Sequence, residues 1–143
     1  MTADPGYARG DGIHRFPIRV YYEDTDAAGI VYYANYLKFA ERARTEMLRD
    51  RGFEHRRIRA EQGLAFVVRR CLIDYHRPAR LDDALTVETR IARIGRVMLD
   101  LLQTIRKEDE ILVSLEVQLA LLNDKLRPTR VPAALIAALE AQH

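Results

Sequence analysis

Positions 21–36 read Y-Y-E-D-T-D-A-A-G-I-V-Y-Y-A-N-Y and gather the groups in this chain best suited to chemistry. Glu23, Asp24 and Asp26 precede Gly29 and the start of an apolar pattern of helical period. Three readings fit that spacing. Aspartates before a helix commonly accept turn amides, which makes Asp24 and Asp26 capping residues. An EF-hand loop starting at Asp24 would put Asp26 and Gly29 at matching positions, but Ala28 and Asn35 fall where calcium needs charge. A carboxylate on a glycine-containing loop beside the free amides of a helix start also pairs a base or nucleophile with an electropositive pocket, where those amides polarise a carbonyl.

Other centres are weaker. The chain has one serine, Ser114, within a strand pattern and outside any G-x-S-x-G, so a serine hydrolase is excluded. Cys71 is the single cysteine and sits beside Leu72 and Ile73, which reads as core filler. His14, His55, His76 and His143 share no ligand spacing and read as surface or loop residues.

The elements that must position the loop follow from apolar periodicity. Phe16, Ile18, Val20 and Tyr22 alternate with Arg15, Arg19 and Glu23 as a half-buried strand, and Pro17 pushes it toward a sheet edge. Between Tyr33 and Arg51 one helix face carries Tyr36, Ala40, Ala43 and Met47, flanked by Tyr33, Leu37 and Leu48. Gly52 ends that helix. One or two helical turns lead to Gly63 and an apolar run over 64–68. Three alternating strands follow, starting from Leu85, Val97 and Ile111, with separations short enough for an antiparallel meander. Their last member puts Leu112, Ser114, Glu116, Gln118 and Ala120 on its outer face. A short terminal helix over 131–142 closes the chain. The class is α+β, a five-stranded antiparallel sheet curled around one long central helix.

Residues 1–14 hold three of the seven glycines and no apolar period, so they read as a flexible tail ahead of one domain over 15–143. Twenty-three basic against 21 acidic residues give +2, too balanced for a nucleic-acid or anionic-membrane binder. No apolar run reaches the roughly 20 residues of a transmembrane segment, and the first residues lack the apolar stretch of a signal peptide. With a lone cysteine, the expectation is a cytoplasmic protein in a reducing compartment.

The segment 20–51, with D-T-D-A-A-G-I-V-Y-Y-A-N-Y-L-K-F-A-E-R-A-R-T-E-M-L-R, resembles the hotdog-fold acyl-CoA thioesterases of the 4-hydroxybenzoyl-CoA thioesterase family, especially the branch associated with the Tol-Pal system. The likeness continues through F-V-V-R-R at 66–70 and Y-H-R-P-A-R-L-D-D at 75–83 to the region of Pro128. It implies a helix wrapped by an antiparallel sheet, in agreement with the order above. It also implies a homodimer or homotetramer whose paired sheets join, with active sites at the interface. The family's catalytic aspartate falls on Asp26, and the backbone N–H that polarises the thioester carbonyl falls on Tyr33. Tol-Pal-associated members often carry histidine at that position, whereas tyrosine is found in the branch that hydrolyses aroyl-CoA.

The resemblance thus implies hydrolysis of a small or medium acyl- or aroyl-CoA, with Asp26 as nucleophile or general base and no metal or redox cofactor. Coenzyme A is anionic, so Arg127 and Arg130 beside Pro128 are candidates for its phosphates; solvated surface charge is the equally good alternative. Two competing functions stay open. A hotdog dehydratase needs a histidine that the helix lacks. A binding module would hold acyl carrier protein or envelope machinery with weak residual hydrolysis.

Overall fold

Apolar residues three and four apart draw α1, Asn35–Asp50, into the centre of the molecule. In the computed structural model, which describes residues 11–141, Tyr36, Phe39, Ala40, Ala43 and Met47 are at most 3% exposed. Each large member of that face contributes about 1.5–3 kcal/mol by leaving water. Ala40 and Ala43 are small enough to bring the helix axis close to the strands. Gly52 follows the last turn with φ +89°, a left-handed conformation that favours glycine and ends the helix.

The strands are β1 (His14–Arg19), β2 (Ala65–Tyr75), β3 (Ala84–Ile94), β4 (Met98–Lys107) and β5 (Glu110–Leu122). They form one antiparallel sheet in the order β1-β3-β4-β5-β2. The meander of β3, β4 and β5 is thus present, and β1, with Pro17, lies at an edge as expected. Val87, Ile91, Leu99, Leu101, Ile105, Val113, Leu115, Val117 and Leu119 face inward and join the helix face in one core. Two shorter helices, α2 (His55–Gln62) and α3 (Ala133–Glu140), complete the fold.

β2 forms the other edge, and most of its residues are exposed. Its alternation breaks at a register shift between Val68 and Arg70.

Several expectations need correction. α1 starts at Asn35 rather than Tyr33, because Tyr33 and Ala34 form a turn that precedes the helix. His14 belongs to β1 and is 2% exposed, with Nε2 2.7 Å from Asp50 Oδ2, so it is neither a surface residue nor part of a tail. The first ten residues of the expected tail, and His143, lie outside the described residues. Cys71, expected as core filler, is exposed on β2, an edge strand of the sheet among the described residues. Leu112, placed on the outer face by alternation, is buried, and its carbonyl accepts the N–H groups of His76 and Arg77 where the chain leaves β2.

Candidate active site

The loop between β1 and α1 is held closed by its own backbone. Asp26 N donates to Ile30 O at 2.9 Å, and Gly29 N donates to Asp26 O at 3.0 Å. Gly29 has φ +79°, the left-handed conformation this tight return requires. Beneath it, Val31 N donates to Ala79 O, and Ala79 N donates to the Tyr36 hydroxyl at 2.9 Å. The segment after β2 therefore clamps both the loop and the first turn of α1, which gives the Y-H-R-P-A-R-L-D-D stretch a physical role.

The two aspartates are held differently. Asp24 is 8% exposed; its Oδ2 accepts Tyr21 N at 2.8 Å, and its carbonyl accepts both Tyr32 N and Asn35 Nδ2 at 2.9 Å. This is the turn-capping reading, and the bond from the Ala28 amide to Asp26 fits the same reading. Asp26 is exposed, and only Oδ1 is engaged, accepting Ala28 N at 2.8 Å. That bond orients the carboxylate while Oδ2 accepts nothing among the described residues. These amide contacts are not a cation's ligand set, and no group of three or more His, Cys, Asp or Glu among the described residues is arranged to hold a metal.

Tyr33 follows directly. Its N–H, like that of Ala34, has no acceptor among the described residues, and no side chain caps α1. Ala34 is the N-cap of α1 and Tyr33 lies one residue before it, so these two amides sit just ahead of the positive end of the helix dipole. The Tyr33 carbonyl is fixed by the Tyr75 hydroxyl at 3.1 Å, with the two rings edge to face at 6.1 Å. Tyr75 also packs on Tyr36 at 5.8 Å. Burial pushes the Tyr75 phenol pKa above its usual value, and Tyr33 and Cys71 add to the effect, so the hydroxyl stays protonated as the donor. Tyr75 was not singled out in the sequence. It lies 42 positions from Tyr33, and only the path of β2 brings the two together.

Arg127 and Arg130 lie elsewhere in the chain. Both are exposed on the segment after β5, where Leu122 bridges Pro128 and Arg127 N donates to Asn123 Oδ1. Tyr75 pairs with Val113 at one end of β5, and Ala65 pairs with Leu122 at the other. Nine residues of strand separate the two ends, about 30 Å. Within one chain the arginines therefore do not meet Asp26.

A curled antiparallel sheet around one central helix, with a carboxylate and unpaired helix-start amides at one end, defines a hotdog-type hydrolase framework. Residues 28–114 match the thioesterase superfamily, and the chain belongs to that family. It is 43% identical over 127 residues to the acyl-CoA thioester hydrolase YbgC of Escherichia coli, covering 87% of this chain and 94% of that protein. It is 44% identical over 124 residues to the acyl-CoA thioesterase YbgC of Haemophilus influenzae, covering 86% and 91%. Among solved structures, a probable thioesterase from Bartonella henselae superposes with a TM-score of 0.81 at 41% identity, covering 84% of this chain and 99% of that one. The chain is an enzyme of the thioester hydrolase class.

Proposed function

We propose that this protein hydrolyses acyl-CoA thioesters, with Asp26 and the Tyr33 N–H as its reacting groups. The observation that carries this reading is the half-engaged Asp26 carboxylate, one oxygen anchored and one free, on a loop that leads into unpaired helix-start amides. Carboxylates are ionised at neutral pH. The free oxygen attacks the thioester carbon, or removes a proton from the water that does so. As the carbon becomes tetrahedral, negative charge gathers on the former carbonyl oxygen, and the Tyr33 N–H donates to it. Collapse expels the thiolate of coenzyme A, which takes up a proton; where water was the nucleophile the acid leaves directly, and where Asp26 was, a water then hydrolyses the acyl–Asp26 anhydride to release the acid and restore the carboxylate.

β2 supplies a reason for dimerisation. It is an eleven-residue edge strand with Val67, Val68, Leu72 and Tyr75 between 38% and 48% exposed. Unpaired edges of this length and polarity seek a partner strand. Antiparallel pairing of two β2 edges about a two-fold axis brings the start of one strand beside the end of the other. Arg127 and Arg130 of one subunit would then approach Asp26 of its partner, where coenzyme A phosphates need positive charge.

The test compares two substitutions. Asp26→Asn retains an oxygen for Ala28 N but removes the charge, so turnover of a short acyl-CoA should fall by about 10²–10⁴ with the thermal midpoint nearly unchanged. Asp24→Asn should mainly cost stability, since its carboxylate is buried on a backbone amide. An Asp26→Asn enzyme within about threefold of wild type would remove the assignment.

A further inference from the structure

Two consecutive amides ahead of α1 are aimed by different means. Asn35 N donates to Tyr32 O at 2.8 Å, which closes a turn with Tyr33 and Ala34 at its centre. Ala34 has φ −71° and ψ −21°, and Tyr33 is not among the residues with positive φ, so the turn is type I and both central residues are right-handed. Successive N–H groups in a right-handed turn point the same way along its axis, toward the incoming chain. The Tyr33 and Ala34 amides therefore face one side together.

Each amide shares a peptide plane with the preceding carbonyl, and across a trans peptide the two point in opposite directions. Anchoring the carbonyl thus aims the N–H. Tyr32 O, which aims the Tyr33 N–H, is held by the backbone through Asn35 N. Tyr33 O, which aims the Ala34 N–H, has no such backbone anchor. In a regular α-helix Leu37 N, four residues on, would donate to it. Leu37 N instead donates to Ala34 O at 3.2 Å, and the donor that Tyr33 O has among the described residues is a side chain, the Tyr75 hydroxyl at 3.1 Å. Tyr75 is braced for that task. Its ring stands edge to face against Tyr33 at 6.1 Å and Tyr36 at 5.8 Å. Tyr36 is itself buried and pinned, because its hydroxyl accepts Ala79 N, and the Tyr75 backbone pairs with Val113 in the sheet.

We propose that Tyr75 is a positioning residue for thioester hydrolysis, whose hydroxyl holds the Tyr33–Ala34 peptide so that the Ala34 N–H joins the Tyr33 N–H in receiving the thioester oxygen. This rests on the reading of Asp26 and the Tyr33 N–H given above. Two fixed donors suit an oxygen that gains charge as the carbon becomes tetrahedral. The bond to the Tyr33 carbonyl also polarises that peptide, which strengthens its N–H as a donor. Without the hydroxyl the Tyr33 donor stays in place and the Ala34 donor is loosened. The cost is therefore smaller than the roughly 10²–10³ that follows outright removal of an oxyanion donor.

The experiment compares wild type with Tyr75→Phe, which keeps the ring contacts and removes only the hydroxyl. On one acyl-CoA, kcat should fall by about tenfold with KM within about twofold, because the oxygen draws on the second donor chiefly in the transition state. The pH profile of kcat should keep its shape, since the phenol transfers no proton. A second readout needs no turnover. A ketone analogue of acyl-CoA, with a methylene in place of the sulfur and an isotope label at the carbonyl, cannot be hydrolysed and reports donors on its oxygen by infrared difference spectroscopy. Binding to wild type should lower the carbonyl stretch, and Tyr75→Phe should return part of that shift. A variant kcat within about twofold of wild type, or a loss confined to KM, overturns the proposal. So does a lower kcat with the carbonyl band unmoved, because it makes Tyr75 merely a brace of the fold. Should Tyr75→Phe not fold, fluorotyrosine in place of Tyr75 keeps the shape with a more acidic hydroxyl. The band should then drop further, and a band identical to wild type overturns the proposal. Were Asp26→Asn to hydrolyse acyl-CoA normally, the catalytic reading would fail separately, and the ketone band would still decide the role of Tyr75.

Discussion

In the proposed mechanism Asp26 acts through its side chain and Tyr33 through its backbone, and this sets what substitution should do. The Tyr33 ring is 62% exposed, and no hydrogen bond of its hydroxyl occurs among the described residues. The useful group is the N–H, which any residue except proline supplies. Tyr33→Phe should therefore lower turnover by less than about tenfold, measured as kcat on one acyl-CoA. A loss near a thousandfold in a folded protein would instead make the phenol a proton donor, a role its exposure permits. The loop that holds both was legible, because carboxylate, glycine and helix start are neighbours in sequence, while the roles proposed for them came from the family resemblance. Tyr75 was not. Its partner, Tyr33, is 42 positions away, and strand register rather than local spacing brings them together.

Elements show the same division between local and non-local information. Strict alternation made β3, β4 and β5 readable, and the three-four spacing did the same for α1. β2 was only partly visible, since the register shift after Val68 and the adjacent Arg69 and Arg70 interrupt its period. His14 looked like tail because its strand partner, Thr89, and its side-chain partner, Asp50, are both distant. The sheet's outer face carries its own charge network. Glu88 on β3 joins Arg15 of β1 at 3.2 Å and Arg106 of β4, with Thr104 also donating. Burial alone would raise the Glu88 pKa, but the Arg106 hydrogen bond and charge, Thr104 and Arg15 outweigh it and hold the pKa below the usual 4.5. A carboxyl depressed in the folded state adds stability above its unfolded pKa, and that stability disappears as pH falls through the folded value. Glu88→Gln should lower stability at pH 7 by on the order of 1 kcal/mol, because the site is partly open to solvent. The difference from wild type should shrink as pH drops below about 4.5. Thermal or urea midpoints across pH 3–7 check this, and a constant gap over that range would show that Glu88 does not carry the linkage.

At the scale of the whole molecule, the two sheet edges are treated differently. β1 is six residues long and carries Pro17, which protects an edge from further pairing. β2 is nearly twice that length, contains no proline and exposes Val68 and Leu72 on its two faces. Such asymmetry is what a closed, two-fold pair of subunits requires, since pairing at β2 satisfies both copies and leaves only guarded edges outward. In the proposed pairing Arg127 and Arg130 would approach the opposite subunit's Asp26, so assembly and catalysis should fail together. Val68→Lys separates these ideas. The side chain is 48% exposed in the single subunit, so a lysine there can reach water and leave the subunit's own core intact. In a β2-paired dimer it would place a charge in the seam between the two edge strands. Sedimentation at micromolar concentration should find wild type as a dimer or larger and the variant shifted toward monomer, with acyl-CoA turnover falling in proportion to the dimer lost. A monomeric Val68→Lys protein with full turnover would show that each subunit carries a complete site, and an unshifted oligomer would move the interface away from β2.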